Sequence, residues 1–209
     1  MVLAGVGSAI GEALTGSTNS ATTDLLGEAG LWVGMLATAL FVSRRYGQGS
    51  LRRDYGLTAK GRDLLWGVLA AAVALTVAEI VVLVFAHTRF AGSNDQVLTQ
   101  QQGHEVGLVV VSLIVALGAP FFEELFFRGL LRTTLQSRLG AHGAIVAQAA
   151  LFGCAHLGEA TTGAGNVSVV LAMFGVGLVL GYTARLTGRL GAGMVAHCLF
   201  NLVAVASVL

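Results

Sequence analysis

The sequence predicts an all-α fold, namely a polytopic transmembrane bundle of six to eight membrane helices, with a kinked long helix that carries Glu123 and Glu124. Hydrophobic residues make up 55% of the 209 residues and charged residues only 11%, with a mean hydropathy of +0.79. Soluble domains carry about 25% charged residues, so this chain cannot supply the polar surface of a soluble globule. Its apolar residues also form runs near the ~20 residues that a helix needs to cross a bilayer.

The same composition limits the function and the partners. It excludes a cytosolic enzyme, a nucleic-acid-binding protein with a basic face and a disordered regulator. We therefore expect the lipid bilayer as a partner and no nucleic acid. The two cysteines, Cys154 and Cys198, lie inside apolar runs, which argues against a disulfide framework.

Six segments are apolar enough to be predicted as spans: 25–43, 64–86, 106 to about 138, 144–158, 167–184 and 190–209. The third is too long for one simple crossing, and Pro120 inside it predicts a kink or a restart because proline removes a backbone donor. Residues 1–14 are apolar but short, which leaves their status as a clipped or half-buried helix open. We divide the chain into 1–105, the N-terminal membrane helices with a basic connection, and 106–209, a membrane core.

The basic residues predict the orientation. Ten of the twelve lie in the connections 44–63, 132–143 and 185–190, whereas the alternate connections contain only Arg89. Because cytoplasmic loops of membrane proteins carry the excess of lysine and arginine, these three connections are predicted to be cytoplasmic in a multi-pass protein of the cell membrane. The abundance of alanine, glycine and arginine suggests a bacterium with a GC-rich genome, and hence a bacterial cytoplasmic membrane.

The remaining arginine, Arg128, belongs to an ionisable cluster inside the third span. An ionisable side chain at the centre of a membrane helix costs at least ~2.5–3.5 kcal/mol, so each one needs a reason. Glu124 and Arg128 are four residues apart and therefore share a helical face and can pair. Glu123 is rotated by ~100° from Glu124 in an α-helix, which predicts that it faces a different neighbour.

Two further polar insertions follow, His156 at the end of the fourth span and His197 with Asn201 on one face of the last span. Counting 1.5 Å per residue inward from the basic rim places Glu123, His156, Asn201 and His197 at roughly 22, 21, 18 and 12 Å. All four side chains therefore fall in one slab of the membrane. If the three spans are neighbours, the four side chains can converge on one cavity.

One carboxylate, two histidines and an amide suit the hydrolysis of an amide bond, which needs a base to activate water and donors for the oxyanion. Glu123 is the candidate base and His156 orients the same water. His197 and Asn201 are the candidate oxyanion donors. Glu124 paired with Arg128 is the supporting scaffold.

Three motifs, Glu123-Glu124-xxx-Arg128, Phe152-xxx-His156 and His197-xxx-Asn201, resemble the signature motifs of the intramembrane glutamic endopeptidases related to the CAAX prenyl protease Rce1. Bacterial members of that family are called CPBP or Abi proteins. The resemblance covers about residues 106–209. It implies an all-helical peptidase with no metal or other cofactor, the same four catalytic residues, and a membrane-associated peptide or protein as substrate. It also favours a pocket that opens to the cytoplasmic side.

Four alternatives remain open at this point. The two glutamates and two histidines could ligate zinc, although asparagine is a poor zinc ligand and no His-Glu-x-x-His motif is present. The pocket could belong to a non-catalytic immunity or scaffold protein that binds a peptide, or to a proton-coupled transporter. Cys154 or Cys198 could be a nucleophile. Glu79 is a candidate pocket residue, while Glu159 and His142 receive no role.

Overall fold

The structure is a computed structural model that describes residues 2–18, 20–92, 109, 111–160 and 162–207. Its helices are α1 (Val2–Thr15), α2 (Ala21–Tyr46), α3 (Leu51–Tyr55), α4 (Asp63–Phe85), the π-helical segment π1 (Ile114–Gly118), α5 (Ala119–Glu123), the π-helical segment π2 (Glu124–Leu131), α6 (Arg132–Ala155), α7 (Asn166–Thr187) and α8 (Gly191–Ala206). No strand occurs in these described ranges, which confirms the predicted all-α class.

Three helices of the described part are long and apolar enough to cross a membrane, Thr22–Tyr46, Asp63–Phe85 and Asn166–Thr187, and Gly191–Ala206 is a shorter apolar helix. α4 shows the character of a lipid-facing helix most clearly, because Leu65, Leu83 and Val84 on its surface are each more than 60% exposed. Such a band of exposed aliphatic side chains would be unfavourable in water and is favourable in lipid. The chain is a membrane protein with a helical bundle.

The predicted kinked long helix is present as the continuous run of π1, α5, π2 and the first part of α6. Pro120 is the second residue of α5, close to the point where the π-helical backbone of π1 changes to α-helical. The run ends at Gly140, whose φ of 68° and ψ of 175° are non-helical, close to the predicted end at about 138. The predicted beginning of this span near 106 lies outside the described residues.

The sequence left the status of residues 1–14 open, and the described part of this segment belongs to α1, which packs along α2. The two backbones approach so closely that a Cβ on Gly7 would lie 1.9 Å from the Leu26 carbonyl oxygen, and one on Gly30 would lie 2.1 Å from the Leu3 carbonyl oxygen. Only glycine fits at these two positions. α1 and α2 therefore form a closely packed helical hairpin at the side of the bundle.

The helix ends that carry the predicted cytoplasmic connections meet at one end of the bundle, which we call the arginine-rich end. Arg189, before α8, forms a buried ion pair with Asp63 at the start of α4. The amide of Leu190 donates to the Gly56 carbonyl oxygen at 2.9 Å. Tyr55 in turn donates its hydroxyl to the Ala39 carbonyl oxygen of α2 at 3.2 Å.

The interior is formed by small and aromatic side chains on α4, α6, α7 and α8, which surround the α5–π2 run. α6 and α7 contact each other so closely that a Cβ on Gly177 would lie 2.9 Å from the Cα of Ala149. α2 closes the other side, where the rings of Trp32 and Phe122 stack with their centroids 4.8 Å apart. The α5–π2 run therefore lies between α2 and the other helices, with its glutamates inside the bundle.

Candidate active site

The two glutamates lie at the junction of two helical geometries. Glu123 ends α5 and Glu124 begins π2. The prediction that they face different neighbours was wrong, because both approach the same ring: Glu124 Oε1 lies 3.1 Å from Nδ1 of His197, and Glu123 Oε2 lies 3.9 Å from its Nε2. The two carboxylates approach different nitrogens of the ring, so side chains that leave the helix in different directions still reach one histidine.

Glu124 connects a buried arginine to this histidine. Glu124 and Arg128 are both 0% exposed, and Arg128 Nη1 lies 3.0 Å from Glu124 Oε1, so the pair predicted from the i, i+4 spacing is present. A carboxylate only accepts hydrogen bonds, so in the 3.1 Å contact with the Glu124 carboxylate Nδ1 of His197 is the donor. Nε2 of the same ring then faces Glu123.

Phe152 holds the charged and imidazole groups in a fixed arrangement. The guanidinium carbon of Arg128 lies 4.1 Å from the centre of its ring, a cation–π contact. The rings of His156 and His197 contact the same phenyl group, with centroid distances of 4.6 and 5.8 Å. Packing against one aromatic side chain thus orients both histidines.

The backbone sets the tautomer of His156. Its Nδ1 lies 2.7 Å from the carbonyl oxygen of Phe152. A carbonyl oxygen only accepts, so Nδ1 carries the proton and donates it. In the neutral ring Nε2 is therefore the nitrogen with the free lone pair, and it is available to a group in the site.

All four residues predicted to be catalytic, Glu123, His156, His197 and Asn201, line one cavity of ≈ 280 Å³. The Oε2 atom of Glu123 is buried and has no hydrogen-bond partner among the described residues. Its 3.9 Å separation from Nε2 of His197 is too long for a direct hydrogen bond. A water beside these two atoms can form a hydrogen bond with each of them at this distance.

Three acidic residues of the cavity wall were not predicted to belong to the site: Asp24 and Glu28 of α2, and Glu159 after α6. Glu28 could have been predicted from the sequence, because it lies inside the predicted span 25–43 and a carboxylate inside a span requires an explanation. Burial raises the pKa of Glu159 to about 7. Glu123 is therefore one of four carboxylates in the wall.

Other candidates lie away from the cavity. Glu79 is exposed on α4 and does not line the cavity. His142 is also exposed and outside the cavity, and its Nδ1 lies 2.9 Å from the Tyr182 hydroxyl. Cys154 and Cys198 are free thiols, and neither lines the cavity. Within the described ranges, no three His, Cys, Asp or Glu side chains converge as the ligands of a metal ion would.

The fold and the site define a class: a helical membrane protein with a buried cavity whose carboxylate, imidazole and amide groups suit hydrolysis. Residues 105–203 match the family model described as type II CAAX prenyl endopeptidase Rce1-like. The match covers slightly under half of the chain. A search of curated proteins and a search of solved structures found no match. The family is one of proteases, which supports peptidase activity and confirms the resemblance seen in the motifs.

Proposed function

We propose that the protein is an intramembrane endopeptidase that hydrolyses a peptide bond of a membrane-associated protein or peptide without a metal ion. One observation supports this most strongly. Glu123, His156, His197 and Asn201 come from three separate parts of the chain and line the same cavity. The match of residues 105–203 to a family of proteases supports a hydrolytic role for this arrangement.

In the proposed reaction Glu123 is the general base. A water in the cavity gives one proton to Glu123 and donates its other hydrogen to Nε2 of His156, which orients it. The water oxygen attacks the carbonyl carbon of the substrate, and the carbonyl electron pair moves to oxygen. When this intermediate collapses, the C–N bond breaks and Glu123 returns its proton to the leaving amine. General acid–base catalysis of this kind contributes about 10²–10⁴-fold.

His197 and Asn201 are the proposed donors to the oxyanion. Asn201 can donate from its amide in any protonation state. His197 differs, because Glu124 holds the first ring proton on Nδ1 and Nε2 can donate only when the ring is an imidazolium. The contact of Glu124 with Nδ1 at 3.1 Å fixes the orientation of this ring. Glu124 is therefore a positioning residue for His197 as well as the partner of Arg128.

The proposal includes the placement in the membrane. The connections 44–63, 132–143 and 185–190 are proposed to be cytoplasmic in a multi-pass protein of a bacterial cytoplasmic membrane, because they contain ten of the twelve basic residues. The division of the chain at 105/106 stays a prediction. The helices of 1–105 also supply part of the cavity wall, including Glu28.

The proposal is tested with the full-length protein in proteoliposomes together with membrane proteins extracted from bacteria, with new amino termini mapped by mass spectrometry. We expect cleavage to persist in a strong chelator, with far less than one metal ion per protein by elemental analysis. The Cys154→Ser/Cys198→Ser variant should cleave at the same sites. Activity that chelation abolishes and zinc restores would establish a metalloprotease, and activity lost with the cysteines would establish a cysteine protease.

A further inference from the structure

The catalytic cavity lies toward one end of the bundle. From Glu123 its wall continues to Asp24 in the first turn of α2 and to Ala204 in the last turn of α8. It also includes Glu159 in the connection between α6 and α7. Asp24 and Glu159 are partly exposed. The cavity thus extends to the end where α2 begins and α8 finishes.

The arginine-rich end is the opposite one. It contains the end of α2 and the beginning of α8, where Arg44, Arg45 and Arg189 lie. The first part of α6 belongs there too, because Arg53 of α3 and Ser137 of α6 line one cleft at this end. In the connections at the cavity end, the sequence has a single basic residue, Arg89.

We infer that the cavity opens on the extracytoplasmic side of the membrane, and that its substrate is a polypeptide segment presented there. The positive-inside rule places the arginine-rich end in the cytoplasm, and a ratio of ten basic residues to one is a strong signal. The cavity, at the other end, then faces outward. That the segment is a substrate rests on the proposed function, whereas the direction of the opening rests only on the position of the cavity and the distribution of basic residues.

This inference departs from the expectation that the resemblance favoured, a pocket open to the cytoplasm. An outward-facing cavity also implies a different class of substrate from the one that a cytoplasmic pocket would accept. A cytoplasmic carboxyl-terminal tail cannot reach the cavity without crossing the bilayer. The outer end of a transmembrane segment, or a peptide exported to the outer surface, reaches it directly.

The orientation is tested by labelling single cysteines in the full-length protein. In a Cys154→Ser/Cys198→Ser background, Ala164→Cys is exposed at the cavity end, Gln48→Cys is exposed at the arginine-rich end, and Ser8→Cys lies in the cavity wall. Spheroplasts are treated with a membrane-impermeant maleimide before and after permeabilisation. We expect Ala164→Cys and Ser8→Cys to react in intact spheroplasts, and Gln48→Cys to react only after permeabilisation.

The opposite pattern overturns the inference, as does an Ala164→Cys or Ser8→Cys that stays unlabelled until the membrane is opened. Because labelling does not require activity, a chain that labels as expected but hydrolyses nothing would refute the proposed function and leave the orientation intact. A chain that cleaves membrane proteins but shows the reverse labelling pattern would refute the orientation and leave the proposed function intact.

Discussion

Glu124 Oε1 lies 3.1 Å from Nδ1 of His197 and 3.0 Å from Nη1 of Arg128, so one fully buried carboxylate holds a cation and orients an imidazole of the cavity. Arg128 has no other anion within ion-pair distance in the part of the chain that the structure describes. The two functions of Glu124, charge balance and positioning, can be separated by mutation because they involve different partners.

Glu124→Gln should lower both stability and activity. It leaves Arg128 charged and unpaired in the interior, which typically costs about 3–5 kcal/mol. The Glu124→Gln/Arg128→Met variant replaces the pair with uncharged groups and should recover most of the thermal stability, measured in the same detergent. Its cleavage rate should stay low, because His197 still lacks its anionic partner. Recovery of full activity in the double variant would show that Glu124 acts only through Arg128.

Gly193→Ala should reduce activity through Glu124. A Cβ at this position would lie 2.8 Å from Glu124 Oε2, so the carboxylate must shift to make room for it. A displacement of about 1 Å in a catalytic arrangement costs about 10²-fold in rate. Gly5→Ala is the control, because a Cβ there meets nothing within 4 Å. Equal rates in the two variants would show that the position of Glu124 is not critical.

His156→Asn should separate the structural hydrogen bond of His156 from its proposed catalytic role. The asparagine amide can still donate to the Phe152 carbonyl oxygen, which His156 Nδ1 contacts at 2.7 Å, but it has no nitrogen in place of Nε2. We expect a melting temperature close to wild type and a loss of about 10²–10⁴ in kcat. His142→Asn, outside the cavity, is the matched control. Wild-type turnover in His156→Asn would remove His156 from the mechanism.

Glu159 should make the stability depend on pH. Its pKa is raised from 4.5 to about 7 by burial, so between these values the folded chain binds a proton that the unfolded chain has released. Stability therefore falls as the pH rises from about 4.5 through 7, and the loss persists above pH 7.

Glu159→Gln should remove this loss. We expect the variant to match wild type near pH 5 and to melt higher at pH 8, by about 2–4 °C for each kcal/mol recovered. Glu12→Gln, at an exposed position of α1, should follow the wild-type pH profile. The expectation fails if wild type and Glu159→Gln show the same change in melting temperature between pH 5 and pH 8.

The sequence predicted best what a single helix determines. The i, i+4 pairing of Glu124 with Arg128, and the placement of His197 with Asn201 on one face, follow from helical periodicity alone. The spans follow from hydropathy, and α2 begins earlier than predicted because Ser20 caps it, accepting from the Thr23 amide at 3.1 Å.

Contacts between helices could not be predicted in the same way. Nothing in the spacing shows that both glutamates reach His197, because this contact depends on how α8 packs against the α5–π2 run. The same holds for α1, which was too short to be predicted as a span and whose Ser8 lines the cavity. The catalytic roles themselves stay predictions that only activity measurements can test.

The most direct test of the proposed mechanism is cleavage by Glu123→Gln, which keeps the shape of the side chain and removes its basicity. Wild type, Glu123→Gln and the exposed control Glu79→Gln are compared in the same proteoliposomes with the same extracted membrane proteins. We predict new amino termini with wild type and Glu79→Gln, and a rate at least about 10²-fold lower with Glu123→Gln at an unchanged melting temperature. Cleavage by Glu123→Gln at the wild-type rate would contradict the assignment of Glu123 as the base. The absence of cleavage by any of the three proteins, with biological function preserved in Glu123→Gln, would favour a peptide-binding scaffold.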